Sequence, residues 1–349
     1  MQRFPEKRFD RRGSALVVVL WVVLLLSMLI VALAFDAHVE SKVTSYYRKR
    51  MKAHFLMKSG MEIAELLMEK STKIRPYTDA EPEEDDPWFD SAKRLAEGDS
   101  VTLEEELGPG SVSITIVSER ARRNVNKLTL EDEWEAILEV GDVPEDMWPE
   151  LIESVLDWQD KDDNARVDGA ESDYYEDLDQ PYKAQNGPLF TVDELMLVKG
   201  FTRTILYGGV IDPESSRGDP MIISGIADLL TTFGDKKINV NSASARVLMT
   251  LPDRTGDLDL VVDAIVLERS GEVDADGVTI PTYFEGDADL FRRVPELNRP
   301  NLKQYVTTSG SKYFRVTSIG KVGAVEKRTW AIVRYDRGQM TILQWREED

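Results

Sequence analysis

Residues 160–171, with the sequence DKDDNARVDGAE, carry polar groups at a regular spacing. Counted from the first of these residues, positions 1, 3, 5, 7, 9 and 12 hold Asp160, Asp162, Asn164, Arg166, Asp168 and Glu171. Twelve-residue calcium loops place their oxygen ligands at these same positions, and position 7 contributes its backbone carbonyl. So many carboxylates repel one another unless a cation neutralises them. The spacing therefore predicts a calcium site.

One position of this run departs from the EF-hand pattern. Position 6 is Ala165, where the motif has glycine because the chain turns there with a positive φ, which costs a residue with a Cβ roughly 1 kcal/mol. We therefore expect calcium binding with altered geometry, with Asp157 or Asp163 as further ligands. The alternative is a solvated acidic loop whose spacing arises by chance. Residues 151–159 have the pattern of an amphipathic helix, as an EF-hand loop requires before it.

The chain around this run is strongly acidic. It has 64 acidic and 43 basic residues, for a formal net charge of −21, and it has no cysteine. Such a surface repels nucleic acid and acidic lipid headgroups, so the charge argues against both as partners. The absence of cysteine excludes a disulfide framework and a thiolate metal site. Folding must depend on core burial.

The N-terminal region holds an uncharged apolar run of about 22 residues. At about 1.5 Å of rise per residue, a helix of this length spans the roughly 30 Å hydrocarbon core of a bilayer. Five basic residues precede the run against two acidic ones, which predicts a cytoplasmic N-terminus. We therefore expect a single-pass inner-membrane protein with a transmembrane helix at residues 14–35 and its bulk in the periplasm.

A glycine stands at the front edge of this run. Gly13 follows two arginines and precedes Ser14 and the apolar helix, which resembles the cleavage site of type IV prepilins and pseudopilins. The resemblance implies that a prepilin peptidase removes residues 1–13 and methylates Ser14, which would leave a net charge of −24 because five basic and two acidic residues are lost. Most family members have glutamate at mature position five, where this chain has Val18. The alternative is an ordinary signal anchor.

Beyond the membrane the pattern predicts a stem helix on a sheet. The stem continues over residues 36–75 and ends before Pro76, with an apolar stripe at spacings of three and four formed by Ala53, Leu56, Met57, Gly60, Ile63, Ala64 and Leu67. Strand patterns occur at residues 112–117, 313–319, 327–335 and 340–345. We predict an α+β fold of type IV pilin-like form, with a large helical domain at residues 128–300 inserted between residues 76–127 and the C-terminal strands at 301–349.

The predicted insertion contains an internal echo. Asn124 and Asn126 form an Asn-x-Asn pair before one helical pattern, and Asn239 and Asn241 form another before residues 245–251. The second segment, like residues 194–202 with Gly200 at a turn, looks like the helix-hairpin-helix family, which often binds DNA phosphates. Because the chain is acidic, we favour a structural role in which the asparagines cap and join elements.

The sequence contains little that supports catalysis. Its two histidines, His38 and His54, lie on the predicted stem near the membrane, so the globular part cannot form a Ser/His/Asp triad. Carboxylates are so numerous that a pair of them has no diagnostic value. We therefore expect a structural and interaction protein and no enzyme. A membrane-anchored envelope enzyme is the rival, and it would need a concave site with convergent polar groups.

Residues 156–201 carry the nearest family resemblance. They contain, in order, D-W-x-D-x-D, G-A-E, two aromatic residues, P-Y, N-G-P, and E-L followed by V-x-G. Together with the glycine site, Val18 and the N-V-N-S-A-S segment, this order resembles the GspK family of type II secretion minor pseudopilins. The family implies a place at the pseudopilus tip, calcium binding by the acidic loop, and I-type and J-type minor pseudopilins as partners. The alternative function is a competence-type, DNA-uptake pilin-like protein.

Overall fold

The computed structural model describes residues 11–76, 86–211, 220–253, 255–273, 279–280 and 282–348. Its first element is α1, Arg11–Lys73, which is roughly 95 Å long at 1.5 Å per residue. No proline interrupts this helix, and it ends before Pro76, as the sequence predicts. The seven residues of the predicted apolar stripe are all buried. The second half of α1 is therefore one wall of a folded core.

The remaining helices are shorter. They are α2 Phe89–Ala96, α3 Glu131–Val140, α4 Trp148–Gln159, α5 Ser172–Glu176, α6 Arg203–Tyr207, α7 Ala245–Leu248, α8 Leu258–Ser270, α9 Asp287–Arg293 and α10 Pro300–Lys303. Short 3-10 helices lie at Glu119–Ala121, Val125–Lys127, Glu145–Met147, Val192–Leu197 and Pro295–Asn298.

The strands fall into one large sheet and several short pairs. They are β1 Val101–Leu107, β2 Gly110–Ser118, β3 Arg123–Asn124, β4 Gly209–Ile211, β5 Met221–Ile223, β6 Leu230–Thr231, β7 Ile238–Asn239, β8 Glu272–Val273, β9 Thr279–Ile280, β10 Val306–Thr307, β11 Tyr313–Val322, β12 Val325–Asp336 and β13 Gln339–Glu348. The large sheet has the order β1-β2-β11-β12-β13 and is antiparallel throughout.

The sheet has one strand that the sequence pattern did not indicate. That strand is β1, whose sequence VTLEEEL places three glutamates in a row and so obscures the apolar alternation. It pairs with β2 along its whole length, from Val101 opposite Ile116 to Leu107 opposite Gly110, and so forms the edge of the sheet. The four strands that were predicted are all present, so the α+β pilin-like form is confirmed.

The stem helix lies on one face of this sheet at very short range. Gly320 of β11 faces the backbone of Ala53 and Met57, and a Cβ at Gly320 would overlap both. Ser318 lies two residues before Gly320 in β11, and its Oγ donates a hydrogen bond of 2.7 Å to the Met57 carbonyl. The Val322 end of β11 therefore lies toward the apolar half of α1, and the Tyr313 end lies away from it.

The rest of the chain forms a second module that enters and leaves at that far end. The sheet breaks off after Ser118 and resumes at Tyr313, and these two ends are adjacent because Phe314 pairs with Ser118. The intervening segment has its own apolar core around the fully buried Trp134, Tyr175 and Phe284. This module thus sits beyond the end of the sheet that lies farthest from the membrane-length part of α1.

The two modules are joined by a buried carboxylate. Glu119 has no exposed surface, and its Oε1 accepts hydrogen bonds of 3.0 Å from Arg122 in the inserted module and from Arg315 in β11. The hydroxyl of Thr231 donates to its other oxygen. A buried charge that is paired from both sides stabilises the relative position of both modules only while all partners remain.

Candidate functional site

The first candidate region is the N-terminal half of α1. Among the described residues, one helix is long and apolar enough to cross a membrane, and it is Ala15–Lys73. Its large apolar side chains between Leu16 and Phe35 are 49–71 % exposed, so they are not covered by the part of the chain that the structure describes. Val18 belongs to this exposed set. The helix fits a single-pass anchor.

The predicted processing site lies at the edge of the described structure. The backbone of Gly13 and Ser14 belongs to the first turn of α1, and their side chains lie outside the described residues. Residues 1–10 of the predicted leader also lie outside them. Cleavage and methylation at this site therefore remain predictions from sequence.

The second candidate region is the acidic loop between α4 and α5. Helix α4 ends at Gln159, so Asp157 in its last turn points into the start of the loop, and Glu171 closes the loop immediately before α5. Carboxylate oxygens of Asp157, Asp160 and Glu171 lie within 4.8 Å of one another. Two of these residues are almost fully buried: Asp157 has no exposed surface and Glu171 is 4 % exposed. Oxygen ligands for a hard cation thus converge at this point.

Several oxygen atoms in this region have no hydrogen-bond partner. Both carboxylate oxygens of Glu171 are buried and unpaired, as are Asp160 Oδ1 and the side-chain oxygen of Asn186. An unpaired buried acceptor costs about 1–3 kcal/mol, and more when it is charged. The donor set is carboxylate and amide oxygen, which suits calcium and magnesium and not a soft metal.

The pKa of Glu171 also indicates that this region lacks positive charge. Burial, together with the nearby carboxylates of Asp157, Asp160, Asp163 and Asp162, raises the pKa of its carboxyl to about 7. A carboxyl in such surroundings holds a proton near neutral pH unless a cation replaces that proton.

Arg166 supplies positive charge on the other side of the cluster. Its guanidinium donates hydrogen bonds to Asp157 and, at 2.9 Å, to Asp160 Oδ2, and its backbone N–H donates to Asp157 Oδ2 at 3.1 Å. The sequence assigned the backbone carbonyl of Arg166 to the metal, and in the structure that carbonyl accepts from Gly169 N at 3.3 Å. Here the arginine side chain is an internal counterion for two of the three clustered carboxylates.

The other predicted ligands stay outside the cluster. Asp162, Asn164 and Asp168 are exposed, and Asp162 Oδ1 accepts from the backbone N–H of Asn164 in a local turn. Among the described residues, Ala165 is not one of the non-glycine positions with a positive φ, so the tight EF-hand turn is not formed there. The structure thus brings together Asp160 and Glu171 of the predicted set with Asp157, one of the two further ligands that the sequence suggested.

Asn186 is a residue of this region to which sequence reasoning gave no role. It adopts a positive φ of 46°, and its amide donates to Asp163 Oδ1 at 3.0 Å and to the Asp162 carbonyl at 3.3 Å. Asn-Gly is a turn-forming pair that tolerates this backbone, and it belongs to the N-G-P motif of the family resemblance. Asn186 ties the acidic loop to the chain 23 residues further on.

The two Asn-x-Asn pairs have equivalent structural roles. The side chain of Asn126 both donates to Leu189 O and accepts from Leu189 N, at 2.9 and 2.8 Å. Asn241 makes the same two bonds to Phe284, at 3.1 and 3.0 Å. The strands beside them, β3 with β6 and β7 with β10, both pair in parallel. The internal echo in the sequence is therefore a repeated junction whose asparagine side chains bind backbone groups, which confirms the predicted structural role.

The remaining sequence features also have simple places. Gly200 has a positive φ of 82° and joins the 3-10 turn Val192–Leu197 to α6, which is only five residues long. His38 and His54 lie on α1, and His54 is near Glu347 at 3.9 Å.

Two comparisons with known proteins found matches to this chain. A family model described as "Type II secretion system (T2SS), protein K" matches residues 116–207, the part that contains the acidic loop. A chain of the crystal structure of the GspK–GspI–GspJ complex from the enterotoxigenic Escherichia coli type 2 secretion system has the same fold, with a TM-score of 0.58 and 17 % identity. The alignment covers 89 % of this chain and 99 % of that one. A search of curated proteins found no match.

A long helix on an antiparallel sheet, interrupted by a helical module, defines a pilin-like protein with an insertion. Within this class, the family match and the structural likeness both point to protein K of type II secretion systems. Residues 116–207 of the chain thus match the protein K family model and the chain shares the fold of a chain in the GspK–GspI–GspJ complex, in agreement with the GspK family resemblance of its sequence motifs.

Proposed function

We propose that the chain is the tip subunit of a type II secretion pseudopilus. In this proposal it assembles with I-type and J-type minor pseudopilins, initiates the filament and supports protein export across the outer membrane. Its bulk lies in the periplasm, and its role is structural and not enzymatic. The observation that carries the proposal is the position of the inserted module beyond the membrane-distal end of the sheet.

The position of the insertion bears directly on assembly. A subunit added above this one would need access to the end of the sheet where Ser118 and Tyr313 lie, and the inserted module leaves and returns there. Growth from below is not hindered, because the exposed stem extends in the opposite direction. A bulky domain at one end only is suited to the last position in a filament.

Val18 supports the same position. In pseudopilins, the glutamate at mature position five is thought to offset the cost of burying a neighbour's terminal amine in an apolar environment. Val18 offers no carboxylate and lies exposed among apolar side chains. A tip subunit has no subunit above it to reach, so the missing charge carries no penalty.

Processing can be tested by N-terminal sequencing of the protein purified from membranes of cells with an active prepilin peptidase. We expect the mature chain to begin at Ser14 with a methylated amine. A Gly13→Leu variant is the matched control and should keep its leader. A wild-type chain that begins at Met1 in such cells would show that prepilin peptidase does not process it, which would contradict the proposed pseudopilin function.

The tip position can be tested by cysteine crosslinking, because the natural chain has no cysteine. Met51 on the stem is 63 % exposed and Ile222 on the inserted module is 76 % exposed. We expect a Met51→Cys variant to crosslink to cysteines on neighbouring stems, and an Ile222→Cys variant to give no crosslink to another pseudopilin. A crosslink from position 222 to a shaft subunit would refute the tip position.

We also propose that the acidic loop binds calcium through Asp157, Asp160 and Glu171. The unpaired buried oxygens of Glu171 and Asp160 support this, because a divalent cation would satisfy them together. Bound calcium would neutralise the carboxylates and hold the end of α4 against the start of α5. Arg166 would then lose its place as counterion to part of the cluster.

Calcium binding can be tested by thermal melts of the full chain with calcium and with chelator. A ligand bound only by the folded state adds about 2.7 kcal/mol of stability at one hundred times its dissociation constant. We expect a higher melting temperature with calcium and about one ion per chain by elemental analysis. Identical melts without bound metal would remove this proposal and leave the pseudopilin proposal intact.

Nucleic acid remains outside the proposed partners. The net charge of −21 opposes phosphate binding, and the side chain of Asn241 in the helix-hairpin-helix-like segment is occupied by backbone groups. A gel-shift experiment at low salt should give no complex with DNA. A salt-dependent shift would favour the DNA-uptake alternative instead.

A further inference from the structure

A groove of about 460 Å³ lies on the surface of the inserted module. One wall is strand β5, which contributes Met221 and Ile222, and the other is the end of α3 with the connection from α3 to α4. Residues 212–219, between β4 and β5, lie outside the described structure. None of the described residues that line the groove belongs to the stem or to the acidic loop. It is therefore a surface to which no role has yet been given.

The wall formed by β5 presents apolar side chains to solvent. Ile222 is 76 % exposed, and Val210 of β4 is 57 % exposed. These two residues stand directly opposite each other in the antiparallel pair, so their side chains lie on the same face. Single apolar side chains are common on protein surfaces, but a cross-strand pair beside a groove forms a continuous patch. Contiguous exposed patches of this kind mark interaction sites.

The opposite wall carries negative charge only. Glu139, Asp142 and Glu145 line the groove, and no basic residue is among the described residues that do so. Asp142 accepts a hydrogen bond from the hydroxyl of Ser224. Glu139 and Glu145 are exposed, and in the part of the chain that the structure describes their carboxylates have no ion pair. These charges can therefore pair with basic groups of a partner.

Trp148 completes the lining of the groove. Its Nε1 donates a hydrogen bond of 2.8 Å to the Val143 carbonyl, which fixes the orientation of the indole ring. The side chain is half-buried, so part of it remains accessible. A lysine or arginine side chain is attracted to the face of an indole ring as well as to carboxylates. The groove thus combines an apolar wall with groups that favour a cation.

We propose that this groove binds an extended segment of a partner protein that is rich in basic and apolar residues. Its apolar side chains would contact Met221 and Ile222, and its lysines or arginines would face the three carboxylates and Trp148. Strands β4 and β5 form a pair without a third strand among the described residues, so an extended segment can lie beside them. A second copy of this chain is a poor occupant, because its net charge of −21 opposes association with an acidic groove.

The proposal can be tested with a short synthetic peptide that alternates lysine and leucine. Titration calorimetry would use the full chain in phosphatidylcholine nanodiscs, with empty nanodiscs subtracted, at about 0.15 M salt so that distant charges are screened. Two peptides of equal length are the controls, one alternating lysine and serine and the other glutamate and leucine. We expect saturable one-site binding of the lysine–leucine peptide, about tenfold or more weaker binding of the lysine–serine peptide and none of the glutamate–leucine peptide. Equal affinity for either control, or no binding of the first peptide, would overturn the proposal.

Matched substitutions locate the binding surface. Ile222→Ser removes an exposed apolar side chain of the groove, and Leu267→Ser is its control, because Leu267 is 74 % exposed on α8. Glu145→Lys reverses a charge in the groove, and Glu106→Lys reverses an exposed charge on β1. We expect each groove variant to weaken binding by about fivefold or more and each control to bind within about twofold of the wild type. Equal losses in groove and control variants would show that the peptide binds elsewhere, and the inference would fail.

Two further measurements guard these results. All four substituted side chains are exposed, so the variants should melt at the wild-type temperature, and a loss of binding is then not a folding defect. A second copy in the groove would be detected with an Ile222→Cys variant under mild oxidation in membranes, where we expect no disulfide-linked dimer of this chain. A dimer that forms with Ile222→Cys and not with Leu267→Cys would show that a second copy covers the groove, and this would overturn the proposal.

Discussion

The acidic loop and the asparagine junctions differ in whether their buried polar side chains have hydrogen-bond partners. At the junctions, Asn126 and Asn241 each bind both the N–H and the carbonyl of a single residue, so the polar side chain and the backbone satisfy each other. In the loop, Glu171 is as inaccessible as Asn241, and both of its oxygens are unpaired. Both regions belong to the same module and surround the same core.

This difference separates a structural polar group from one that is suited to a ligand. A buried polar side chain contributes to stability when its partners are covalently part of the fold, and it costs free energy when they are not. The junctions should therefore be sensitive to substitution and insensitive to ions. The loop should behave in the opposite way, and its sensitivity should depend on calcium and on pH.

The largest effect is expected at the second junction. An Asn241→Leu change leaves the N–H and carbonyl of Phe284 and the carbonyl of Glu97 without this partner, and we expect a loss of about 3 kcal/mol in the free energy of unfolding. Denaturant unfolding followed by tryptophan fluorescence measures it. Asn126→Leu, at a half-buried position, should lose less. A loss that calcium restores would contradict the distinction between the two regions.

The next effect is expected at Glu171. A Glu171→Gln change removes the buried charge, so in chelator above pH 7 the variant should be about 1–3 kcal/mol more stable than the wild type. With calcium the order should reverse, because the variant lacks a charged ligand. Thermal melts under both conditions test this. A variant that responds to calcium as the wild type does would exclude Glu171 from the site.

The pH dependence of the wild type follows from the same carboxyl. Its pKa is raised in the folded state to about 7, so the folded chain binds a proton that the unfolded chain releases between about pH 4.5 and 7. In chelator, this group should make stability fall as the pH rises through that range. In calcium the fall should disappear, because the metal favours the ionised form. Comparing the wild type with Glu171→Gln at each pH isolates this contribution.

A smaller effect is expected at Arg166. Its guanidinium pairs with Asp157 and Asp160 and is partly exposed, so an Arg166→Gln change should cost about 1 kcal/mol in chelator. Calcium affinity should rise several-fold in the variant, because a competing cation has been removed. Calorimetric titration with calcium measures this. Weaker binding in the variant would mean that the arginine supports the site.

The smallest effect is expected at Asp168, which is exposed and outside the carboxylate cluster. An Asp168→Asn change should alter calcium affinity and stability by less than about 0.5 kcal/mol. The EF-hand spacing predicts a ligand at this position, so a large loss of affinity would favour the sequence pattern over the observed cluster.

Much of the fold was predictable because its signals are local. An uninterrupted apolar run, a three-four spacing in the stem and alternation in four strands each depend on neighbouring residues. Strand β1 was not predicted because its three consecutive glutamates hide the alternation: Glu104 and Glu106 face solvent, whereas Glu105 is half-buried and accepts a hydrogen bond from Trp88. The repeated asparagines were visible, but their partners Leu189 and Phe284 are 63 and 43 residues away.

Residue types and their spacing were enough to predict the membrane-length stem, the α+β class, the family resemblance and an acidic loop able to attract a cation. Which carboxylates meet depends on the packing of the core, because Asp157 is on a helix and Asn186 is on a distant turn, and this packing brings them to the loop. It also determines that Arg166 faces the carboxylates with its side chain. Residue type and spacing fix what a segment can do locally, whereas burial and pairing depend on contacts between segments far apart in the chain.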